Sequence, residues 1–230
     1  MDSIDELLKA IDAVKPGETV LVEYYPSYVP EFATLTLLMY ARKKGVPVVI
    51  DDNFDALHVI QKHLALWGIH EDFSDVLVIK SDGHVDVGNI VSRINFSDSP
   101  DIYVKKYEDV GKKIVSSVGE SINIVLGFEK IFAFVHTIRE FYLVMTRIQK
   151  FLGNPRRAFY LVNKKTAEGL EFNPLPEMER IASTVVEIFP TPASGRIIFK
   201  KSPIFELIGR ELEIPIGVIV NAAGGKGDHV

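Results

Sequence analysis

The chain has 230 residues and a mass of 25.8 kDa, which suits one large α/β domain with a single core. Hydrophobic residues make up 47% of it and charged residues 25%, values that are typical of soluble globular proteins and exclude a disordered chain. The formal net charge of −5 provides no long-range attraction to phosphate backbones or anionic lipid, so we expect neither nucleic acid nor a membrane as a partner.

Predicted elements alternate between helix and strand through the first half of the chain. An apolar stripe at helical spacing predicts an opening helix, and it consists of Ile4, Leu7, Leu8, Ile11 and Val14. Strands without polar alternation follow at residues 19–25, 47–53 and 75–80, and helices at residues 33–44 and 54–67 separate them. Strand, helix and strand at this spacing indicate right-handed βαβ crossovers and a parallel sheet.

The second half begins with residues 82–100, whose turn-forming residues predict a lid or an edge element. The later predicted elements are a helix at 103–118, a strand at 121–127, one long helix at 130–152, a strand at 157–163, a short helix within 173–183 and an antiparallel hairpin of 184–190 with 195–201. We therefore predict a single domain over residues 1–220 and a flexible C-terminal tail over residues 221–230.

Two stretches of the chain carry a likeness to known proteins. The strand, loop and helix of VEYYPSYVPEF (22–32), followed by KKGVPVVID (43–51), resemble the first βαβ unit of RecA-like ATPases, especially the KaiC-like branch. With VGNIVSRI (87–94) and LGFEKIF (126–132), the chain resembles an uncharacterised family of hyperthermophilic archaea, the Thermococcales, in the phosphate-loop superfamily. The resemblance implies a thermophilic source and a three-layer RecA-like α/β fold, with a mostly parallel sheet and a late antiparallel hairpin.

The phosphate-binding loop of those ATPases is replaced in this chain. In the resemblance, the motif G-x-x-x-x-G-K-[ST] joins the first strand to its helix, and here its conserved positions fall on Tyr24, Val29, Pro30 and Glu31. Tyr24 and Val29 lack the freedom and small size by which glycine lets main-chain amides curl around phosphate. Pro30 supplies neither an ammonium group nor an amide donor, and Glu31 places its own negative charge at the helix N-terminus. We therefore expect no ordinary ATP hydrolysis.

The magnesium site of the resembled ATPases also departs from their pattern. Gly127 stands where an acidic residue usually follows the fourth apolar strand, and Glu129 lies two residues later. Asp51 and Asp52 end the second strand, near the position where KaiC-like ATPases carry the glutamates that polarise water. One interpretation is that these two residues cap the next helix through Asn53, and the other is that they face a ligand.

Tyrosines gather at the same carboxyl edge of the predicted sheet. The candidate ligand-binding residues are Tyr24, Tyr25, Ser27, Tyr28, Glu31, Asp51 and Asp52. The tyrosines would either fill the space that a nucleotide has vacated or line a recess for a small molecule or peptide. A site of this composition favours a cationic or hydroxylated ligand. No catalytic residue, metal site or cofactor is predicted.

Two functions follow from these residues. The first is a non-catalytic KaiC-like module that acts in binding or regulation, and the second is a small-molecule enzyme or sensor that uses the former nucleotide pocket. We also expect a homo-oligomer, because the predicted helix at 130–152 is apolar on more than one face. In that case Phe132, Leu143 and Val144 would be interfacial, and otherwise they would be internal or scattered over the surface.

The sequence also indicates a compartment. No apolar run reaches the length of about 18 residues that a membrane-spanning helix requires, and the acidic start of the chain is unlike a signal peptide. The absence of cysteine excludes disulfides, thiolate metal sites and a cysteine nucleophile. We expect a cytoplasmic protein.

Overall fold

A computed structural model describes residues 3–96 and 100–224. Its strands are β1 (Thr19–Tyr24), β2 (Val48–Asn53), β3 (Leu77–Ser81), β4 (Asn89–Ile94), β5 (Ser121–Leu126), β6 (Arg156–Asn163), β7 (Thr184–Pro190), β8 (Ser194–Lys201) and β9 (Glu211–Pro215). Its α-helices are α1 (Ser3–Ala13), α2 (Val29–Lys44), α3 (Ala56–Leu66), α4 (Pro100–Val118), α5 (Ile138–Gln149), α6 (Lys164–Glu168), α7 (Leu175–Ile181) and α8 (Ile216–Ala222). Two 3₁₀ helices lie at Phe128–Phe134 and Phe205–Leu207.

The described strands form one sheet in the order β4-β3-β2-β5-β6-β1-β7-β8-β9. The pairs from β4 to β7 are parallel, and β8 pairs antiparallel with both β7 and β9. Strands β2 and β5 are buried along their whole length, as in a sheet that is covered on both faces. The predicted RecA-like fold, with its mostly parallel sheet and late antiparallel hairpin, is confirmed.

Helices cover both faces of the sheet and make three layers. Helices α1, α2, α3 and α8 pack on one face, where Ile11, Leu38, Leu57 and Ile219 belong to one apolar core. Helices α4, α5 and α7 and the first 3₁₀ helix pack on the other face, with Tyr103, Val144 and Met178 in a second core. Because side chains alternate along each strand, neighbouring residues of one strand contribute to opposite cores.

The single long helix predicted at residues 130–152 is wrong. The chain forms the 3₁₀ helix Phe128–Phe134, becomes extended at Val135 and then begins α5. Thr137 caps α5, because its side chain accepts a hydrogen bond from the Glu140 N–H at 3.2 Å, and the Glu140 carboxylate accepts one from the Thr137 N–H at 3.1 Å. This reciprocal capping box is a sequence signal that marks a helix start.

Other boundaries differ less. Helix α2 starts one turn earlier than predicted, with Pro30 in its first turn, where a missing N–H costs little. The excursion at residues 82–100 contains an edge strand, β4. Strand β9 and helix α8 were not predicted, and α8 includes residues 221 and 222 of the predicted tail. Residues 225–230 of that tail lie outside the described residues.

The described helices include none that is both long enough and apolar enough to span a membrane.

Candidate functional site

The loop between β1 and α2 lies where the resembled ATPases bind phosphate. Its main-chain N–H groups are engaged locally: that of Val29 donates to Ser27 Oγ at 3.4 Å, and that of Phe32 to the Tyr28 carbonyl at 3.2 Å. Pro30 has no N–H, and the main-chain N–H of Glu31 lowers the pKa of that residue's own buried carboxyl group. In the first turn of α2, two N–H groups are therefore bonded within the loop, one is missing, and the one that remains belongs to an acidic residue, which disfavours an anion there.

Glu31 supplies the negative charge at this helix N-terminus. Its carboxylate is only 2% exposed, and Oε1 lies 2.6 Å from Nδ1 of His63 in α3. Burial raises the pKa of Glu31, and the hydrogen bond from His63 opposes that rise. The ring of Tyr28 stands edge-on to His63, with 5.4 Å between ring centroids. The sequence prediction placed Glu31 correctly at the start of α2 but did not identify its partner His63, which lies 32 residues later in the chain.

A second buried carboxyl group lies at the end of β5. Gly127 has a φ of 67°, and a Cβ atom there would stand 2.8 Å from the Asn53 carbonyl oxygen, so a side chain does not fit. Glu129 is 2% exposed, and burial raises its pKa to about 7. Burial also raises the pKa of Tyr24, and Glu129 and Glu31 both add to that rise. Two acidic side chains therefore flank Tyr24, which makes this edge unfavourable for a phosphate.

Asp51 and Asp52 point to opposite faces of the sheet, as adjacent strand residues do. Asp51 accepts a hydrogen bond from the Tyr107 hydroxyl at 2.7 Å and lies 3.7 Å from Nη2 of Arg147. Asp52 accepts one from the Leu57 N–H, in the first turn of α3, at 2.9 Å. The helix-capping interpretation therefore matches Asp52.

Lysine completes the surroundings of Asp52. Its Oδ2 lies 2.7 Å from Nζ of Lys80, which also pairs with Asp55 at 2.5 Å. The amide of Asn53 donates to the Leu126 carbonyl at 2.7 Å. The structure therefore gives Asp51 and Asp52 partners inside the protein and does not bring them together with Glu31.

Tyr25 belongs to a cluster of charged residues that the sequence analysis did not find. The Tyr25 hydroxyl donates to Glu187 at 2.9 Å, and Lys164 Nζ lies 2.6 Å from the same carboxylate. Lys200 Nζ lies 3.0 Å from the fully buried Glu23. The pKa of Glu23 is raised to about 7, first by burial and then by a hydrogen bond with Glu179. A glutamate inside the apolar run of β1 was the one available signal, since its partners lie on α6, α7 and β8, far from it in sequence.

Ser27 and Tyr28 line a cavity of about 380 Å³. This apolar cavity lies between the sheet and helices α1, α2 and α8. Strands β1, β6, β7, β8 and β9 provide its floor, with Val22, Val186 and Phe199 among the lining residues. It adjoins the phosphate-loop position but lies on the sheet face away from Asp51. Of the seven predicted site residues, these two are the ones that line it.

Comparisons with known proteins agree with this fold. A family model described as "Pyrococcus protein of unknown function, DUF257" matches residues 9–213. The chain is similar to the solved protein PH0250 of Pyrococcus horikoshii OT3, with 28% identity and a TM-score of 0.74 over 94% of this chain and 99% of that one. It matches no protein that has a curated description.

Two further solved proteins of Pyrococcus horikoshii OT3 share the fold at lower identity. The KaiC-like protein PH0186 has 12% identity and a TM-score of 0.60, over 86% of this chain and 85% of that one. The uncharacterised protein PH0321, solved in complex with an unknown peptide, has 17% identity and a TM-score of 0.57, over 88% of this chain and 92% of that one.

Proposed function

Because the chain belongs to the DUF257 family of Pyrococcus proteins and has a KaiC-like fold, we propose that it is a non-catalytic KaiC-like module that acts in binding or regulation. The observation that carries this proposal is the first turn of α2. Phosphate binding at a helix N-terminus requires main-chain N–H groups that point at the anion. Here Ser27 Oγ and the Tyr28 carbonyl accept two of those hydrogen bonds, Pro30 has none to offer, and the remaining N–H group belongs to Glu31, whose buried carboxyl group disfavours an anion.

Electrostatics at the same position supports the proposal. A nucleotide triphosphate would approach Glu31 and Glu129, both buried carboxyl groups with raised pKa values. Each negative phosphate oxygen would further disfavour the ionised form of these two carboxyl groups. Both positions hold an acidic residue, where a phosphate site would favour lysine or arginine. The imidazole of His63 already lies 2.6 Å from Glu31 and so is engaged by that carboxyl group.

The metal-binding half of an ATPase site is also poorly supported. A magnesium ion with nucleotide requires free carboxylate or hydroxyl ligands beside the phosphates. Gly127 has no side chain, and Asp52 is held by Lys80 and by the first turn of α3. Among the described residues, no group of three His, Cys, Asp or Glu side chains is placed to hold a metal ion.

Calorimetric titration with MgATP tests this proposal, together with a phosphate-release assay at elevated temperature. We expect no saturable heat at micromolar to low millimolar nucleotide and no phosphate release above the buffer rate. An active ATPase measured in the same buffer serves as the control for both assays. Micromolar, Mg²⁺-dependent binding with turnover would contradict the proposal.

The alternative small-molecule site built from Glu31, Asp51 and Asp52 has less support. Asp51 and Asp52 lie on opposite faces and bond to Tyr107 and Lys80, respectively. A cationic ligand would have to displace Lys80 from a fully buried ion pair. The feature that favours a small molecule is instead the apolar cavity beside Ser27 and Tyr28.

We also propose that the protein forms a homo-oligomer, but through a different surface from the one that the sequence indicated. Phe132 and Val144 are buried within the chain and Leu143 is partly buried, whereas Ile138 is 59% and Tyr142 52% exposed on α5. One turn apart, these two exposed side chains form the apolar surface that a second copy would cover. Light scattering over a tenfold concentration range should show an oligomer, and Ile138→Glu should reduce its mass. A wild-type monomer at every concentration would remove this part of the proposal.

A further inference from the structure

The apolar cavity follows the strands of the sheet. Alternate residues of β7 from Thr184 to Pro190 line it, which is a distance of roughly 20 Å at about 3.3 Å per residue. On the opposite wall, α2 contributes Phe32, Ala33 and Leu37 at helical spacing. The cavity is therefore an elongated slot between the sheet and the helices, partly open to solvent.

Its size separates it from an ordinary packing defect. Protein interiors contain few voids larger than a water molecule, which takes up about 30 Å³ in the liquid. The cavity has about 380 Å³, which is within the range of roughly 300–1,000 Å³ that small-molecule sites have. Its walls are nonetheless well formed, because Val20, Leu37 and Leu161 are each less than 5% exposed.

Its lining selects the chemistry of an occupant. Among the described residues that line it, none is Asp, Glu, Lys, Arg or His. Hydroxyl groups are most numerous toward the carboxyl ends of the parallel strands, where Ser27, Tyr28, Thr191 and Ser194 line one end of the slot. Thr36, on α2, and Thr184, at the start of β7, are the other two hydroxyl-bearing residues of the described lining. A charged ligand would lose its hydration there without gaining an oppositely charged partner. A hydrocarbon chain would instead make van der Waals contacts with wall atoms that otherwise face empty space.

We propose that this slot binds an elongated, uncharged molecule with a long hydrocarbon chain, such as a long-chain alcohol or its ester. The chain lies along the strands between α1, α2 and the sheet, and the polar end lies among the hydroxyl groups near Tyr28. The slot shares Val29 and Phe32 with the first turn of α2, but hydrocarbon binding there does not require that the protein bind nucleotide.

The protein carries its own reporter for this site. Trp67 is the one tryptophan of the sequence, and it lines the cavity. Its ring packs edge-on against Phe32 and Tyr28, with 5.5 and 5.8 Å between ring centroids. A molecule that enters the slot changes the surroundings of the indole, so its fluorescence reports occupancy directly.

The experiment titrates 1-decanol, decanoate and decylammonium at pH 8 while Trp67 fluorescence is recorded. We expect saturable binding of 1-decanol and at least tenfold weaker binding of both charged analogues. Ala33→Phe places a ring in the slot and should weaken 1-decanol binding at least tenfold. Ala65→Phe makes the same change on the exposed side of α3 and should leave binding unchanged.

Other outcomes would overturn the proposal. Failure of the wild-type protein to bind 1-decanol would do so, as would equal binding of the three probes or an unaffected Ala33→Phe variant. Circular dichroism and thermal melting check that the variants fold. Should Ala33→Phe not fold, Ala10→Phe narrows the slot from α1, and the wild-type ranking of neutral over charged probes remains a separate test.

Discussion

The apolar cavity and a buried charged region on the opposite face of the sheet differ in one instructive way. The charged region, which we call the Asp51 cluster, consists of Asp51, Tyr107, Asn123, Arg147 and Arg156. The apolar cavity has a volume of about 380 Å³, and Tyr28 is the one ionisable residue in the described part of its lining. The space beside Asp51, Asn123 and Arg156 has a volume of about 20 Å³. A buried charge favours partners at contact distance, and the space beside the cluster has room for about one water molecule. Asp51 Oδ1 and Arg147 Nε and Nη2 have no hydrogen-bond partner among the described residues.

Contacts within the Asp51 cluster show how tightly it is filled. Asp51 accepts hydrogen bonds from Tyr107 at 2.7 Å and from Asn123 at 3.3 Å, and Arg156 donates to Asn123 at 2.5 Å. The Arg147 guanidinium lies over the Tyr107 ring, 3.6 Å from its centroid. Apolar side chains do not require partners at contact distance, because empty space beside them leaves no polar group without a hydrogen bond. A ligand site in this fold is therefore better sought where the lining is apolar.

The largest expected effect comes from breaking the Asp51 cluster. Arg147→Met removes the arginine that forms an ion pair with the buried Asp51, while Arg156 stays bonded to Asn123, and we expect a loss of about 3–5 kcal/mol in the free energy of unfolding. Guanidinium denaturation measures it. Arg180→Met removes an arginine that is mostly exposed and should change stability by less than about 0.5 kcal/mol. If the two substitutions lowered the free energy of unfolding equally, the stability of the protein would not depend on the pairing of Arg147 with Asp51.

A buried carboxyl without an ion pair extends the comparison. Glu129 Oε2 has no hydrogen-bond partner among the described residues, and burial raises the pKa of Glu129 from 4.5 to about 7. The folded protein therefore holds this proton more tightly than the unfolded chain, and the resulting stability, present below pH 4.5, is lost as pH rises through about 7. Compared with Glu129→Gln, the wild type should lose up to roughly 3 kcal/mol of its free energy of unfolding between low pH and a pH above 7.

The check is denaturation of the wild type and Glu129→Gln between pH 4 and 8. The stability difference between them should shift in favour of Glu129→Gln as pH rises. Glu206→Gln, at an exposed position, should track the wild type throughout. A constant difference between wild type and Glu129→Gln would show that Glu129 does not titrate in this range.

A matched pair of glycines compares the packing of the two regions. A Cβ atom at Gly111, beside the Asp51 cluster, would lie 2.5 Å from Cζ of the buried Phe151, so Gly111→Ala should cost about 1–3 kcal/mol through overpacking. At Gly195, in the wall of the apolar cavity, the nearest atom would be Ile188 Cγ2 at an ordinary 3.5 Å. Gly195→Ala should be neutral or stabilise the fold by up to about 1 kcal/mol. Thermal melting ranks the two, and the reverse order would contradict the packing difference.

The sheet was predictable because its strands are continuous apolar runs at regular spacing. The break before α5 was also present in the sequence, as the Thr137 and Glu140 capping box, but an apolar stripe at helical spacing on both sides concealed it. Strand β9 is short, with Leu212 and Ile214 alternating inward, and a short strand of this kind gives a weak signal.

The candidate site was predictable in part. The loss of phosphate-loop chemistry could be predicted at Pro30 and Glu31, since both act through local properties of a helix start. The pairs Glu31 with His63 and Glu23 with Lys200 could not, because each joins elements that are distant in sequence. The apolar cavity was not predictable, since volume depends on how far helices stand from the sheet and no residue pattern encodes that distance.

Xenon binding distinguishes the apolar cavity from the filled Asp51 cluster, because xenon occupies apolar cavities without requiring any polar partner. Crystals of the protein would be pressurised with xenon, and its anomalous signal would be located. We expect xenon in the apolar cavity, against Val22, Leu37 and Val186, and none beside Asp51. A slot that is empty of xenon, or closed by side chains of its own walls, would contradict this expectation.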